Sequence, residues 1–147
     1  MRGPYRKRRI WQPPQFRNFK PSGIPSRALE SIVLTVDEYE AIRLADHLGL
    51  EHQAAAECMH ISRPTFTRLI EQARRKVATA LVEGKELIIE GGNVDFVNTL
   101  AHCHDCGETI QKPINEAIEN CPECGSENVE DLAQTFRGHG RQHRRGQ

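Results

Sequence analysis

Four cysteines in the last third of the sequence have the spacing of a metal site. They form two Cys-x-x-Cys-Gly motifs, at 103–107 and 121–125, with fourteen residues between the inner cysteines. Each motif turns the backbone so that two thiolates face one ion, and the glycine permits the tight turn after the second cysteine. Four such sulfurs suit Zn²⁺ in a closed tetrahedral site. The predicted ligands are Cys103, Cys106, Cys121 and Cys124.

The segment around these motifs, residues 99–132, has few large apolar side chains. A chain this short usually needs a metal or disulfides to fold, so we expect the metal to supply much of its stability. We favour a zinc ribbon, because the gap between the motifs is short and aromatic residues are few. Iron is the alternative occupant, since similar motifs hold one iron in rubredoxin. His102 and His104 are expected to be neighbours of the site rather than ligands.

The formal net charge of zero conceals opposed blocks of charge. Residues 1–29 hold eight Lys and Arg and no acid, and residues 63–85 hold six basic and two acidic residues. Residues 86–131, in contrast, hold eleven acids and Lys112 alone. Positive charge therefore lies on an amino-terminal arm and on one predicted helix, where a polyanion would bind. Phosphates would repel the acidic ribbon, so we expect it to support folding, dimerisation or protein contact.

The stretch from Leu50 to Leu81 predicts two helices joined by a tight turn. An Ala-rich segment is followed by His60-Ile61-Ser62, and Ser62 is a favourable N-cap for the long helix that begins at Arg63. Apolar residues at spacings of three and four give this helix one buried face. They are Phe66, Leu69, Ala73 and Val77. This is the arrangement of a helix-turn-helix, whose second helix enters the major groove of DNA.

The flanking segments complete the expected domain organisation. Thr35 and Glu38 fit a capping box that begins a first helix, and Glu86–Glu90 predicts a strand that pairs within the chain or across a dimer. We therefore expect a mainly α fold: a three-helix helix-turn-helix domain, a short β connector and a small four-Cys zinc ribbon. The expected boundaries are a basic Pro-rich arm (1–33), the helix-turn-helix domain (34–82), the β connector (83–98), the ribbon (99–132) and a disordered Gly/Arg/His tail (133–147).

Two resemblances support the helix-turn-helix. The helix-turn-helix of the fourth region of bacterial sigma factors is similar to GLEHQAAAECMHISRPTFTRLIEQARRKV. Roughly residues 1–92, including the basic arm, resemble an uncharacterised prokaryotic family of predicted DNA-binding proteins, most specifically in SRPTFTRLIEQARRKVA and LVEGK. This resemblance implies DNA binding through the second helix. His60 replaces the glycine that is usual in the turn, and Glu51 replaces the usual Ser or Thr cap of the first of the two helices.

We therefore expect sequence-specific binding of double-stranded DNA by a transcriptional regulator that inserts the helix from Arg63 into the major groove. Arg63 and Arg68 would read guanine, whereas Arg74, Arg75 and Lys76 would reach phosphates or acidic neighbours. One such helix buries little surface, so a homodimer on a palindrome is expected. The predicted DNA-contacting residues are Arg63, Thr65, Thr67, Arg68, Gln72, Arg74 and Arg75 on the helix, and Arg6, Lys7, Arg8 and Arg9 on the arm.

An alternative function is also open. The chain would then be a metal- or redox-responsive protein, with zinc or iron in the four-Cys site, whose helical domain contacts protein, for example RNA polymerase. The sequence shows no paired carboxylates, nucleophile–base pair or phosphate-binding loop, so we expect no enzymatic activity. No apolar run approaches the ~18 residues of a membrane span, which predicts a cytoplasmic protein without a membrane partner.

Overall fold

The computed structural model describes residues 7–136, so Arg6 and the predicted tail from residue 137 onward lie outside the described residues. The chain divides into two units. The helical unit comprises the chain up to Ile10 and Phe16–Asp95, and the ribbon unit comprises Trp11–Gln15 and the chain from Phe96 onward. The short segment Trp11–Gln15 therefore belongs to the ribbon unit although the residues on both sides of it belong to the helical unit.

Three long helical segments form the centre of the helical unit. They are α1 (Val36–Ile42), which continues as a π-helical turn (Arg43–His47), α2 (His52–Met59) and α3 (Arg63–Glu83). The predicted capping box begins α1. The Thr35 hydroxyl accepts a hydrogen bond from the Glu38 backbone N–H at 3.4 Å, and the Glu38 carboxylate accepts one from the Thr35 backbone N–H at 2.9 Å.

The limits of α3 follow from its terminal residues. The Ser62 hydroxyl accepts from the Thr65 backbone N–H at 3.3 Å, which confirms Ser62 as the N-cap. Gly84 ends the helix with a φ of +68°, a left-handed conformation that glycine adopts without strain. Along the predicted apolar face, Phe66 and Ala73 are fully buried, as the spacing requires.

Strands from distant parts of the helical unit pair with one another. A three-stranded sheet has the order β2 (Asn18–Phe19), β4 (Glu86–Ile89), β3 (Ser31–Leu34), in which β4 is antiparallel to β2 and parallel to β3. The predicted strand at Glu86 thus pairs within the chain. A second pairing joins β1 (Arg8–Ile10) to β5 (Val94–Phe96).

The ribbon unit is built on one central strand. Its sheet has β6 (Asn98–Cys103) between β7 (Thr109–Pro113) and β8 (Val129–Asp131), both antiparallel to it. Residues 132–136 are helical, although we expected the disordered tail to begin at residue 133. The Phe136 ring lies 6.2 Å from that of Phe96, between ring centroids, and both side chains are buried. These contacts form a small apolar core beside the sheet.

The expectation of a mainly α fold is wrong. Among the described residues 38% are helical and 23% lie in strands, which form three small sheets. The error came mostly from the basic arm, which supplies β1, β2 and β3, and from the ribbon. Strands as short as β1 and β2 depend on partners far along the chain, so the local sequence carries no alternating pattern that would reveal them.

Three carboxylates on α1 are buried, and each has a basic partner. Asp37, Glu38 and Glu40 are 6%, 3% and 2% exposed. The ion pairs are Arg8 with Asp37 (2.6 Å), Lys76 with Glu38 (2.8 Å) and Arg43 with Glu40 (2.8 Å). A buried carboxylate without a partner is costly, so these pairs attach β1 and α3 to α1.

We predict that Arg8→Ala lowers the free energy of unfolding of the metal-loaded protein by about 2 kcal/mol, because it leaves the buried Asp37 carboxylate without its cation. Urea unfolding followed by far-UV circular dichroism measures this change. Arg27→Ala is the matched control, since Arg27 is an exposed arginine of the same arm, and should change stability by less than about 0.5 kcal/mol. Equal effects of the two substitutions would contradict a structural role for Arg8.

Candidate metal centre and candidate nucleic-acid interface

The four predicted metal ligands converge in the ribbon unit. The Sγ atoms of Cys103, Cys106, Cys121 and Cys124 all lie within 4.8 Å of one another, and we call them the cysteine cluster. Two pairs of sulfurs, Cys103 with Cys124 and Cys106 with Cys121, are each 3.6 Å apart. Four sulfurs bound at ~2.3 Å to one tetrahedral ion stand roughly 3.8 Å from one another. The cysteine cluster therefore has the dimensions of a metal site with four sulfur ligands.

The same backbone hydrogen bond closes each Cys-x-x-Cys-Gly motif. The Gly107 N–H donates to the Cys103 carbonyl at 2.9 Å, and the Gly125 N–H donates to the Cys121 carbonyl at 2.7 Å. Both glycines have a positive φ, +83° and +78°, which is strained for other residues. The motif glycines are therefore required by the turn, as the sequence predicts.

The pKa values of two thiols in the cluster are shifted in opposite directions. The backbone N–H of Cys106 lowers the pKa of Cys103 to about 7. The backbone N–H of Glu108 acts to lower the pKa of Cys106, but desolvation and the adjacent Cys121 thiol outweigh it and raise that pKa to about 12. Thiols at this separation compete for ionisation, and a divalent cation would remove the competition and release protons as it binds.

Polar side chains connect the two motifs outside the cysteine cluster. Asp105 of the first motif accepts hydrogen bonds from the Ser126 hydroxyl and, at 3.4 Å, from the Asn128 amide, both of which follow the second motif. The Ser126 hydroxyl and then the Asn128 amide hold the pKa of Asp105 below its usual value. The sequence carries no signal of this contact, because Asp105, Ser126 and Asn128 are ordinary loop residues.

Neither neighbouring histidine belongs to the cluster. His102 Nδ1 lies 2.9 Å from the Thr109 hydroxyl, and His104 Nε2 lies 3.0 Å from a Glu130 carboxylate oxygen. The two imidazoles meet edge to face, with 5.0 Å between ring centroids. One nitrogen of each ring thus has another partner, and neither ring belongs to the cysteine cluster, which agrees with the expectation that both are neighbours of the metal site.

A buried polar group that sequence analysis missed supports β6. Thr99 is fully buried, and its hydroxyl donates to the Asp131 carboxylate at 2.5 Å. The backbone N–H of Ala133 donates to the same hydroxyl at 3.1 Å. Lys112 is 8% exposed and lies 3.9 Å from Asp131. The sequence did hold one sign of this buried pair. Lys112 is the one Lys or Arg among the eleven acids of residues 86–131.

A three-residue turn joins α2 to α3. His60 begins it with a φ of +57°, and among the described residues it is the one non-glycine residue with a positive φ. Glycine usually supplies this left-handed conformation at a helix end. His60 therefore adopts the conformation of the glycine that it replaces in the turn. The Arg9 guanidinium lies 2.9 Å from His60 Nε2, so the arm contacts this turn directly.

Four of the predicted DNA-contacting residues on α3 are both exposed and without a side-chain partner among the described residues. They are Arg63, Arg68, Gln72 and Arg75. Within the part of the chain that the structure describes, none of these four side chains has a hydrogen bond or ion pair. Arg68, Gln72 and Arg75 follow one another at spacings of four and three, so they share one helical face. They line a surface groove of about 530 Å³ together with Glu71, Lys76, Thr79 and Ile32 of β3.

The other predicted contacts on α3 have partners within the protein. Their partners are Ser62 for Thr65 (2.8 Å), His52 for Thr67 (2.9 Å) and Asp46 for Arg74 (2.6 Å). The hydrogen bond from Arg74 lowers the pKa of Asp46, and the same bond raises the pKa of Arg74. Arg74 and Lys76 thus reach acidic neighbours, one of the two outcomes we expected.

The predicted DNA contacts at Lys7, Arg8 and Arg9 on the amino-terminal arm also have partners within the protein. Arg8 pairs with the buried carboxylate of α1, and Lys7 lies 3.8 Å from Asp95 in an exposed ion pair. Arg9 lies beside the turn between α2 and α3. Of the three predicted arm contacts that the structure describes, Lys7, Arg8 and Arg9, it is therefore Arg9 that lies against the turn before α3.

The fold and the site define a class of protein in which a three-helix unit with an exposed basic helix is joined to a four-cysteine ribbon. The chain belongs to the family described as "Protein of unknown function DUF134", which matches residues 1–97. A UPF0251 protein of Chloroherpeton thalassium is 57% identical over 144 residues, covering 97% of this chain and 95% of the relative. One from Moorella thermoacetica is 46% identical over 139 residues, covering 95% and 91%. These alignments include the ribbon unit as well as the helical unit.

The sequence predicts a cytoplasmic location because it contains no long apolar run. Among residues 7–136, no helix combines the length and the apolar character that crossing a membrane requires. The cytoplasmic location stays a prediction.

We predict that Cys121→Ser abolishes the binding of one metal ion per chain and removes the hydrogen-exchange protection of β6, β7 and β8, because metal binding drives the folding of so small a ribbon. Protection of α3 should persist, since the helical unit has its own core. Elemental analysis and amide exchange measure the two effects. Cys58→Ser is the control: Cys58 is an exposed thiol of α2 outside the cysteine cluster. Full metal content in the Cys121→Ser protein would contradict the four-ligand site.

Proposed function

We propose that this protein is a transcriptional regulator that binds double-stranded DNA at specific sequences, with α3 inserted into the major groove. The observation that carries the proposal is the exposed, unpaired set Arg63, Arg68, Gln72 and Arg75 on a helix that follows a three-residue turn. In helix-turn-helix proteins the second helix reads base edges in this way, mainly with residues near its amino-terminal end.

In this proposal Arg63, at the start of α3, and Arg68 and Gln72, on its exposed face, read bases. Arg63 and Arg68 donate two hydrogen bonds each to guanine O6 and N7, and Gln72 pairs with adenine N6 and N7. Arg75 lies about one turn beyond Gln72, farther from the start of the helix, and contacts phosphate. Pro64 also lies in the first turn, where it has no backbone N–H to offer to a phosphate.

The remaining predicted contacts have a positioning role. Thr67 is hydrogen-bonded to His52 of α2, and Arg74 is paired with Asp46 at the end of the first helix. Both contacts hold α3 against its neighbours, and so they fix the direction of the exposed face. Arg9, which lies against the turn, contacts the phosphate backbone beside the groove.

We further propose that the metal is zinc and that its role is structural. A tetrahedral site with four protein sulfurs leaves no open position for a substrate or a water, unlike the three-ligand sites of zinc enzymes. The ribbon carries eight acids and one Lys between Thr99 and Asp131, so phosphates repel it. Its proposed contribution is folding and protein contact rather than DNA contact.

We predict that Arg68→Ala weakens binding to the preferred DNA site by about 1–3 kcal/mol, or roughly 5- to 150-fold, because a bidentate contact to one guanine is lost. Binding to random duplex DNA should change much less. Titration of labelled duplexes at one fixed salt concentration measures both affinities.

The control for Arg68→Ala is Arg27→Ala, which removes the same charge from an exposed position outside α3. It should leave the discrimination between the two duplexes unchanged. If Arg68→Ala weakened both duplexes equally, Arg68 would be a phosphate contact and not a base-reading residue.

A further inference from the structure

The helical unit contains an apolar pocket of about 550 Å³ on the side formed by α1, the last turns of α3 and the strands β2 and β4. Its lining is aliphatic and aromatic, with Leu34, Tyr39, Ile42, Val77, Leu87 and Ile89 as its walls. No residue assigned above to DNA or metal lies in it. The pocket therefore needs an explanation of its own.

Large apolar side chains stand exposed beside this pocket. Leu81 is 79% exposed and Phe19 is 52% exposed, and both also line the pocket. Val82, the next residue of α3, is 84% exposed. Exposed apolar side chains that are contiguous with an apolar pocket mark an interaction surface. We call the pocket together with Leu81 and Phe19 the Leu81 surface.

We propose that the Leu81 surface is the interface with a second copy of this chain, in a twofold-symmetric dimer in which Leu81 of each protomer enters the pocket of the other. A twofold interface brings the same patch of both subunits together, so the patch must complement itself. The Leu81 surface does so because it carries both a projecting side chain and a cavity that accepts one.

The charges at the edge of the Leu81 surface also suit a second copy. Lys85 lies 3.2 Å from both Glu30 and Glu83, and Lys20 lines the same pocket. Both signs of charge are thus present, and a patch of mixed sign can meet itself without the repulsion that a patch of one sign would cause.

A small apolar ligand is the alternative occupant of the pocket, but it would cover less of the exposed apolar surface. It would fill the pocket but would leave Leu81 and Val82 in water, at 79% and 84% exposure. A protein partner covers the projecting side chains and the pocket together. The second copy is favoured over an unrelated partner because the projection and the cavity lie side by side on one chain.

The position of the Leu81 surface on α3 also fits DNA, and this step alone rests on the proposed function. Arg68 and Leu81 are on the same helix, about 20 Å apart along its axis. With a twofold axis beside Leu81, the two copies of Arg68 are at most about 40 Å apart, compared with the ~34–36 Å between half-sites one DNA turn apart.

Sedimentation equilibrium of the full-length, metal-loaded protein without DNA tests the interface. We expect a dimer for the unaltered protein and at least about 100-fold weaker association for both Leu81→Glu and Phe19→Glu, because each places a carboxylate in an apolar interface. Leu48→Glu is the matched control, since Leu48 is 53% exposed and does not line the pocket. It should remain a dimer.

Unchanged circular dichroism and metal content in each variant establish that the variants are folded. A monomer at all concentrations for the unaltered protein would overturn the proposal, as would a full dimer for both folded Leu81→Glu and Phe19→Glu. The DNA proposal fails separately: a dimer that binds no duplex supports the interface and contradicts DNA binding, whereas a monomer that selects a DNA site contradicts the interface alone.

Discussion

The helical unit depends on the pairing of buried carboxylates with basic side chains from other segments. Asp37, Glu38 and Glu40 are almost completely removed from water, a state that is stable only when each carboxylate has a close cation. The cations come from β1, from α3 and from the turn that follows α1. One set of ion pairs therefore attaches both the amino-terminal arm and the basic helix to α1. This fixes which face of α3 is left exposed, and the proposed DNA contacts are the residues on that face.

The ribbon unit meets a different constraint, because its apolar core is small and its cysteines must be held together. The arm contributes here as well: the Asn98 N–H donates to the Trp11 carbonyl at 2.9 Å, and the Gln111 amide donates to Gln12 at 2.7 Å. Metal binding that orders the ribbon would therefore also order the arm between β1 and β2. The segment predicted from sequence as a basic Pro-rich arm thus contributes residues to each of the two units.

Local sequence signals predicted local structure well. The capping box at Thr35, the N-cap at Ser62 and the four cysteines each specify geometry over a few residues, and the structure confirms all of them. The mainly α fold was wrong because the strands of the arm exist only through partners far along the chain. The ion pairing of Arg74 was foreseen as one of two outcomes, whereas the hydrogen bond of Thr67 was not. Both side chains were placed on the DNA surface by helical position, and only the packing of neighbouring helices shows their partners.

The central claim is that the exposed face of α3 reads a DNA sequence. Selection of bound duplexes from a random pool by the purified, metal-loaded protein tests it most directly. We expect enrichment of a palindromic consensus with half-sites about one helical turn apart, and loss of that enrichment for Arg68→Ala. Recovery of the random pool without enrichment, at a salt concentration low enough for nonspecific DNA binding, would contradict the account.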